Sequence, residues 1–195
     1  MRRLAVTLVL LGLGPGAAPA AAQWGVSAEI GVAGFSGTSR DSSGATVGPY
    51  RPTTFAVRVD REGGPVRVAL TLLYAQPGLA GAQGDVLFVQ YGVVSLWEIV
   101  PEVSLRVVGF GTGVAARVEA GPAIDLWEFN GEQRHRVGAR AGLAFEWPLA
   151  RSLTGSLRAG GVLTRSMLDP ADVPAGVERV ATRRFGVGLG LRYRL

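Results

Sequence analysis

From Arg184 to Leu195 the chain alternates without a break, setting Phe185, Val187, Leu189, Leu191, Tyr193 and Leu195 against Arg184, Gly186, Gly188, Gly190, Arg192 and Arg194. A period of two sends successive side chains to opposite faces of an extended strand, so this stretch reads as a strand with one apolar and one polar face, not as a helix. Such a strand needs neighbours to satisfy its backbone donors and acceptors, and the chain has to supply them.

It does so seven more times. Segments near 24–35, 51–60, 66–76, 86–108, 114–127, 134–147 and 153–165 carry the same alternation. The clearest is 66–76, where Val66, Val68, Leu70, Leu72 and Tyr74 oppose Arg67, Ala69, Thr71 and Ala75. Segment 86–108 is long, but one parity runs from Leu87 through Tyr91, Trp97 and Val103 to Val107, which predicts one strand bent near Pro101. Proline removes a ladder hydrogen bond, so Pro101 is also where this segment would divide if it is two strands. Connections 60–65, 109–113 and 148–152 are short, whereas 36–49, 77–85 and 166–180 are longer and rich in Gly, Ser, Asp or Pro; Asn130-Gly131-Glu132-Gln133 is short where the pattern calls for a long loop.

The first residues stand apart. Arg2 and Arg3 precede an apolar run from Leu4 to Leu13, then Gly14-Pro15-Gly16 and Ala20-Ala21-Ala22, which reads as a signal peptide cleaved after Ala22. Residues 1–22 are therefore assigned to the leader and 23–195 to one domain. A membrane-spanning helix needs about 20 apolar residues, roughly twice this run. Losing Arg2 and Arg3 lowers the formal net charge from +5 to +3, and the remaining arginines are scattered rather than gathered into a nucleic-acid patch. Cysteine is absent, so neither disulfides nor thiolate metal sites are available. After residue 22 no apolar run is long enough to cross a bilayer as a helix, and any crossing must use strands.

Three features put the polar face inside. That face is built of Gly, Ala, Ser and Arg with some Glu and Asp, which suits the narrow interior of an eight-stranded barrel. Arg58, Arg67, Arg106, Arg117, Arg140, Arg158 and Arg192 share it with Glu29, Asp60, Glu98, Glu102, Glu119, Asp125 and Glu146, and charges of both signs are what a filled interior requires. Aromatic residues gather near strand ends: Trp24, Trp147 and Tyr193 at the short-turn end, and Phe35, Tyr50, Tyr74, Trp127 and Phe129 at the long-loop end. These read as two interfacial girdles, with Phe55, Tyr91 and Trp97 outside the pattern. On this reading Leu70→Arg is strongly disruptive, and Thr71→Arg is milder provided the lumen has room.

The chain ends in Gly190-x-x-Tyr193-x-Leu195, which resembles the terminal signal read by the barrel-assembly machinery of Gram-negative envelopes; Leu195 departs from the aromatic residue with which such chains usually end. Val118-Glu119-Ala120-Gly121-Pro122-Ala123 is similar to a mid-barrel A-G-P segment of the same proteins. The resemblance is to the outer-membrane protein β-barrel domain family, the small OmpA/OmpX-type and porin-like barrels. It implies an all-β, eight-stranded antiparallel up-and-down transmembrane β-barrel in the outer membrane. Outer-membrane lipid and the barrel-assembly machinery are the implied partners, the latter through the C-terminal strand, and the chain is expected to be a monomer.

No catalytic residue, cofactor or metal is assigned. His135 is the lone histidine and shares the apolar parity with Val137. Gly109-x-Gly111-x-Gly113 lacks the lysine and helix of a phosphate loop, and Asp41, Asp85 and Asp169 lack a calcium-loop spacing. The functional expectation is a non-enzymatic barrel with a plugged, charged interior and a structural or surface-interaction role through its long loops. The alternatives are a soluble periplasmic barrel holding an apolar ligand and a narrow porin-like channel.

Overall fold

The computed structural model describes residues 23–36, 39–40, 46–83, 85–111, 113–129, 131–167 and 178–195. The signal-peptide reading, Asp41, Asp169 and Asn130 fall outside them. Thirteen strands follow in chain order: β1 (Gln23–Ser36), β2 (Ser39–Arg40), β3 (Thr46–Tyr50), β4 (Thr53–Gly63), β5 (Val66–Ala75), β6 (Gly78–Gln83), β7 (Val86–Gln90), β8 (Val94–Gly109), β9 (Ala115–Phe129), β10 (Glu132–Pro148), β11 (Leu153–Thr164), β12 (Glu178–Arg179) and β13 (Thr182–Arg194).

Eight of these close a barrel in the order β1-β13-β11-β10-β9-β8-β5-β4, every pair antiparallel. Closure leaves no free edge in the ring, which is the condition for strands to lie in a medium without water. The chain's two ends meet at the β1–β13 seam, where Gly25 faces Arg194 and the Leu195 N–H donates to the Trp24 carbonyl at 3.0 Å. Tight turns between β4 and β5, β8 and β9, and β10 and β11 mark the turn end of the barrel. At two of them Gly64 and Gly113 take positive φ.

The segment 86–108 is not one strand. It divides at Gly92, whose φ of 80° turns the chain out of the extended region, and Pro101 lies within unbroken β8. The ladder shows what Pro101 does instead. Pairing between β8 and β9 runs to Ile99–Ile124 and resumes at Val103–Ala120, so the residues facing each other in the gap are Pro101 and Pro122. Neither has an N–H to give, and the ladder lapses there without either strand ending. Gly121 lets the walls close over the gap, since a Cβ on it would stand 2.1 Å from the Pro101 carbonyl oxygen.

Described parts of the longer connections form strands as well. β12, β2, β3, β6 and β7 form a second, five-stranded sheet in that order, built from chain that joins barrel strands at the loop end. Its members are two to six residues long; β7 carries the parity that begins at Leu87, while the others, broken by residues such as Pro49 and Gly81, sustain no alternation long enough to read.

In the barrel wall, Val26, Ile30, Val57, Leu70, Val103, Leu143, Leu157, Val187 and Leu189 are exposed, while the charged residues of the opposite parity are mostly buried. The aromatic residues depart from the expected girdle. Phe35, Trp127 and Phe129 lie on the inner parity: Trp127 is only 2% exposed, stacks edge-on against Phe35 at 5.7 Å, and joins the buried cluster that Phe129 packs against. The exterior aromatic band at the loop end is instead Phe55, Tyr74 and Trp97, neighbours across β4, β5 and β8, with the Tyr74 and Trp97 rings 4.7 Å apart.

Candidate functional site

The interior is a stack of ion pairs beneath an apolar cap. Parity delivers the charges: in β4 the inward residues 58, 60 and 62 are Arg, Asp and Glu, and in β9 the inward residues 117, 119 and 125 are Arg, Glu and Asp. Nearest the turn end, Glu62 accepts from Arg67 at 2.9 Å, Arg106 at 2.8 Å and Arg117 at 3.0 Å. Asp60 beside it takes the forked guanidinium of Arg192 at 2.6 and 2.9 Å, the bidentate geometry that arginine and carboxylate favour.

Deeper in, Glu146 bridges Arg67 at 2.5 Å and Arg158 at 3.5 Å. Glu119 bridges Arg58 at 2.9 Å and Arg158 at 3.4 Å, Glu102 pairs with Arg58 at 2.8 Å, and Glu29 with Arg158 at 3.1 Å. Toward the loop end, fully buried Glu98 accepts from Arg140 at 3.2 Å and from Arg184. Most carboxylates here meet two or more guanidiniums, an arrangement that offsets the several kcal/mol that burying a lone charge costs.

Glycine makes the space. A Cβ on Gly188 would stand 2.3 Å from Glu29 Oε1, and one on Gly25 would stand 2.5 Å from Arg192 Nε. Between the described side chains lie a cavity of about 40 Å³ bordered by Glu29, Glu119, Arg140, Arg158 and Arg184, and another of about 10 Å³ beside Arg58 and Thr71. Above the charges lies the cap of Leu73, Ala75, Val94, Leu96, Trp127 and Met167. Arg136 holds the chain across the mouth by donating to the carbonyls of Ser166 at 2.6 Å and Met167 at 3.3 Å, and the Met167 N–H donates to Thr182 Oγ1 at 3.2 Å.

Of the residues singled out from sequence, Arg58, Arg67, Arg117, Glu119, Arg140, Glu146, Arg158 and Arg192 meet in this stack, while Arg106 stands at its rim, 45% exposed in its side chain. Gly190 faces inward, where a Cβ would press on Ser156 Oγ at 2.8 Å; Tyr193 and Leu195 are exposed beside it. His135 is exposed on β10. Asp85 is exposed in the β6–β7 turn. Among the described residues no cluster of His, Asp and Glu has the geometry to hold a metal. Sequence reasoning misses Glu62, which Arg67, Arg106, Arg117 and Arg192 share, because the expected strand stops at Asp60; the same parity carried two residues further finds it. Met167 had no such signal, since it enters the cap from a connection rather than from a strand.

No family model matches the sequence, and no curated protein does. Solved structures match along nearly the whole chain. Neisserial surface protein A is 13% identical, with 88% of this chain and 97% of that one covered at a TM-score of 0.55. The outer membrane protein OprG from Pseudomonas aeruginosa is 9% identical, with 89% and 96% covered at a TM-score of 0.60. At these identities the likeness is one of fold, an eight-stranded barrel shared with proteins of bacterial surfaces.

Proposed function

We infer that this chain is an integral outer-membrane β-barrel whose interior is a plug and whose loop-end sheet is its contact surface. The observation that carries the reading is the inversion of the barrel, with leucines and valines outside and ion pairs inside. Water offers nothing to such an exterior, whereas lipid does. A soluble barrel for an apolar ligand needs the reverse, an apolar lumen beneath a polar coat, and this lumen is lined with charge.

The interior network supports a plug rather than a solute pore. Arg58, Arg158 and Arg192 reach across to carboxylates on other strands, and the cavities between them are only about 10 and 40 Å³. Gly190, Tyr193 and Leu195 are proposed to serve the assembly machinery as the terminal signal, and residues 1–22 to direct export. With its interior closed, the barrel acts as a non-enzymatic anchor that holds the five-stranded sheet beyond the membrane for contact with a surface partner. Conductance tests this: refolded protein in planar bilayers is expected to show no steady pore, and a large, steady conductance would overturn the plug. Recovery of the processed protein in the soluble periplasmic fraction would overturn the membrane reading itself.

A further inference from the structure

The barrel exterior is dented beside Gly34. On most of the wall, paired strands present large side chains outward, but at the loop end of the β1–β13 seam the outward residue beside Phe185 is Gly34. Nothing lies within 4 Å of where its Cβ would be. The Phe185 ring leans the other way and covers Gly161 of β11, with ring carbons 3.2 and 3.3 Å from a Cβ there. The result is a groove of about 700 Å³ whose walls include Val32, Phe185, Val187, Pro52 and Thr53, with Arg51 at its lip.

Its charge is one-sided. Arg51 is exposed, and so is Arg183, which lies two residues before Phe185 on the same face and opposite Ser36. Neither forms an ion pair with a described residue. Among the described residues, the exposed carboxylates Glu128 and Glu132 belong to β9 and β10, across the barrel from β1, and Asp85 to the β6–β7 turn; none of the three lines the groove. An apolar channel along the wall, with the Arg51 guanidinium at its lip and exposed Arg183 two residues before Phe185 on the same face, is complementary to an amphiphile with an anionic head.

We propose that this groove holds one acyl chain of a membrane lipid whose anionic headgroup sits at Arg51 and Arg183. The inference rests on the membrane reading above. A guanidinium near an anionic lipid surface strengthens association about fivefold, so two give a marked preference for an anionic over a zwitterionic head. The apolar walls supply affinity for the chain in either lipid.

The full chain is refolded in detergent micelles and titrated with phosphatidylglycerol or phosphatidylcholine, and bound lipid is counted by native mass spectrometry. The wild type is expected to retain one phosphatidylglycerol in preference to phosphatidylcholine. Arg51→Gln with Arg183→Gln abolishes the preference but leaves a bound lipid. Gly34→Leu, whose Cβ meets nothing within 4 Å and whose side chain extends into the groove, lowers retention of both lipids. Heat-modifiable migration on a gel verifies that each variant is folded. A preference that survives loss of both arginines, or retention indifferent to Gly34→Leu, overturns the groove. A wild type that does not insert into vesicles overturns the membrane reading, and this inference with it; insertion without a retained lipid overturns this inference alone.

Discussion

Leu70 and Thr71 are adjacent in sequence and stand on opposite sides of the wall. Leu70 is exposed between Val59 and Pro101, and an arginine there would lie in hydrocarbon; Leu70→Arg is expected to cost about 2–4 kcal/mol near mid-membrane. Parity alone makes Thr71→Arg the milder change, but only if the lumen has room. Thr71 is buried, its hydroxyl donates to Glu102 at 3.0 Å, Glu102 already serves Arg58, and the cavity beside it is about 10 Å³. A second guanidinium there would crowd Arg58 in a cavity too small to hold it, so Thr71→Arg is expected to lose at least as much stability. Urea titrations of both variants refolded into vesicles decide it, and wild-type behaviour of Thr71→Arg would show that the interior has space to spare. The sign of each face is legible in the sequence because parity survives along the barrel strands, broken in β8 only past the register shift at Arg106 and Val108. What parity could not convey is occupancy: whether an inward position is full depends on side chains from strands distant in sequence, as Arg58 and Glu119 are.

At the scale of the element, the β8–β9 pair is where sequence rules and structure part. Pro101 looks like a break when β8 is considered alone, yet the break falls at Gly92, a residue with no side chain to interrupt an apolar parity. The proline is tolerated because its partner across the ladder is another proline, a coincidence of register that no single strand reveals. Both residues of the Gly121-Pro122 step are thereby explained, since Pro122 matches Pro101 and Gly121 lets the strands approach where hydrogen bonds are missing. Gly121→Ala is expected to destabilise the barrel by about 1–3 kcal/mol or more, because its methyl group would meet Pro101 backbone rather than a movable side chain. Gly34→Ala, with open space around it, is the matched control and should be close to neutral. Equal midpoints for the two variants would mean that the β8–β9 seam has slack. The other loop-end strands escape sequence reading for a different reason: β7 is legible as the start of segment 86–108, but β2, β3, β6 and β12 are pieces of two to six residues that sustain no period.

In the plug proposed above, the interior is closed twice, with ion pairs between the barrel walls and with the apolar cap above them. The two closures come from different parts of the chain. The ion pairs are made by barrel strands, whereas the cap draws Met167 from a connection and packs against Leu79 of the second sheet. The barrel ring itself contains none of β2, β3, β6, β7 or β12. Replacing residues 37–50 and 78–92 with short turns therefore removes most of the second sheet and part of the cap's cover while leaving every barrel strand and every interior carboxylate in place. Such a variant is expected to keep heat-modifiable migration, because closure of the ring does not pass through the deleted chain, and to remain non-conducting, because the arginine and glutamate layers still fill the lumen. Steady conductance appearing only in the trimmed protein would move the seal from the ion pairs to the cap. Loss of heat-modifiable migration would show that the ring depends on the sheet above it.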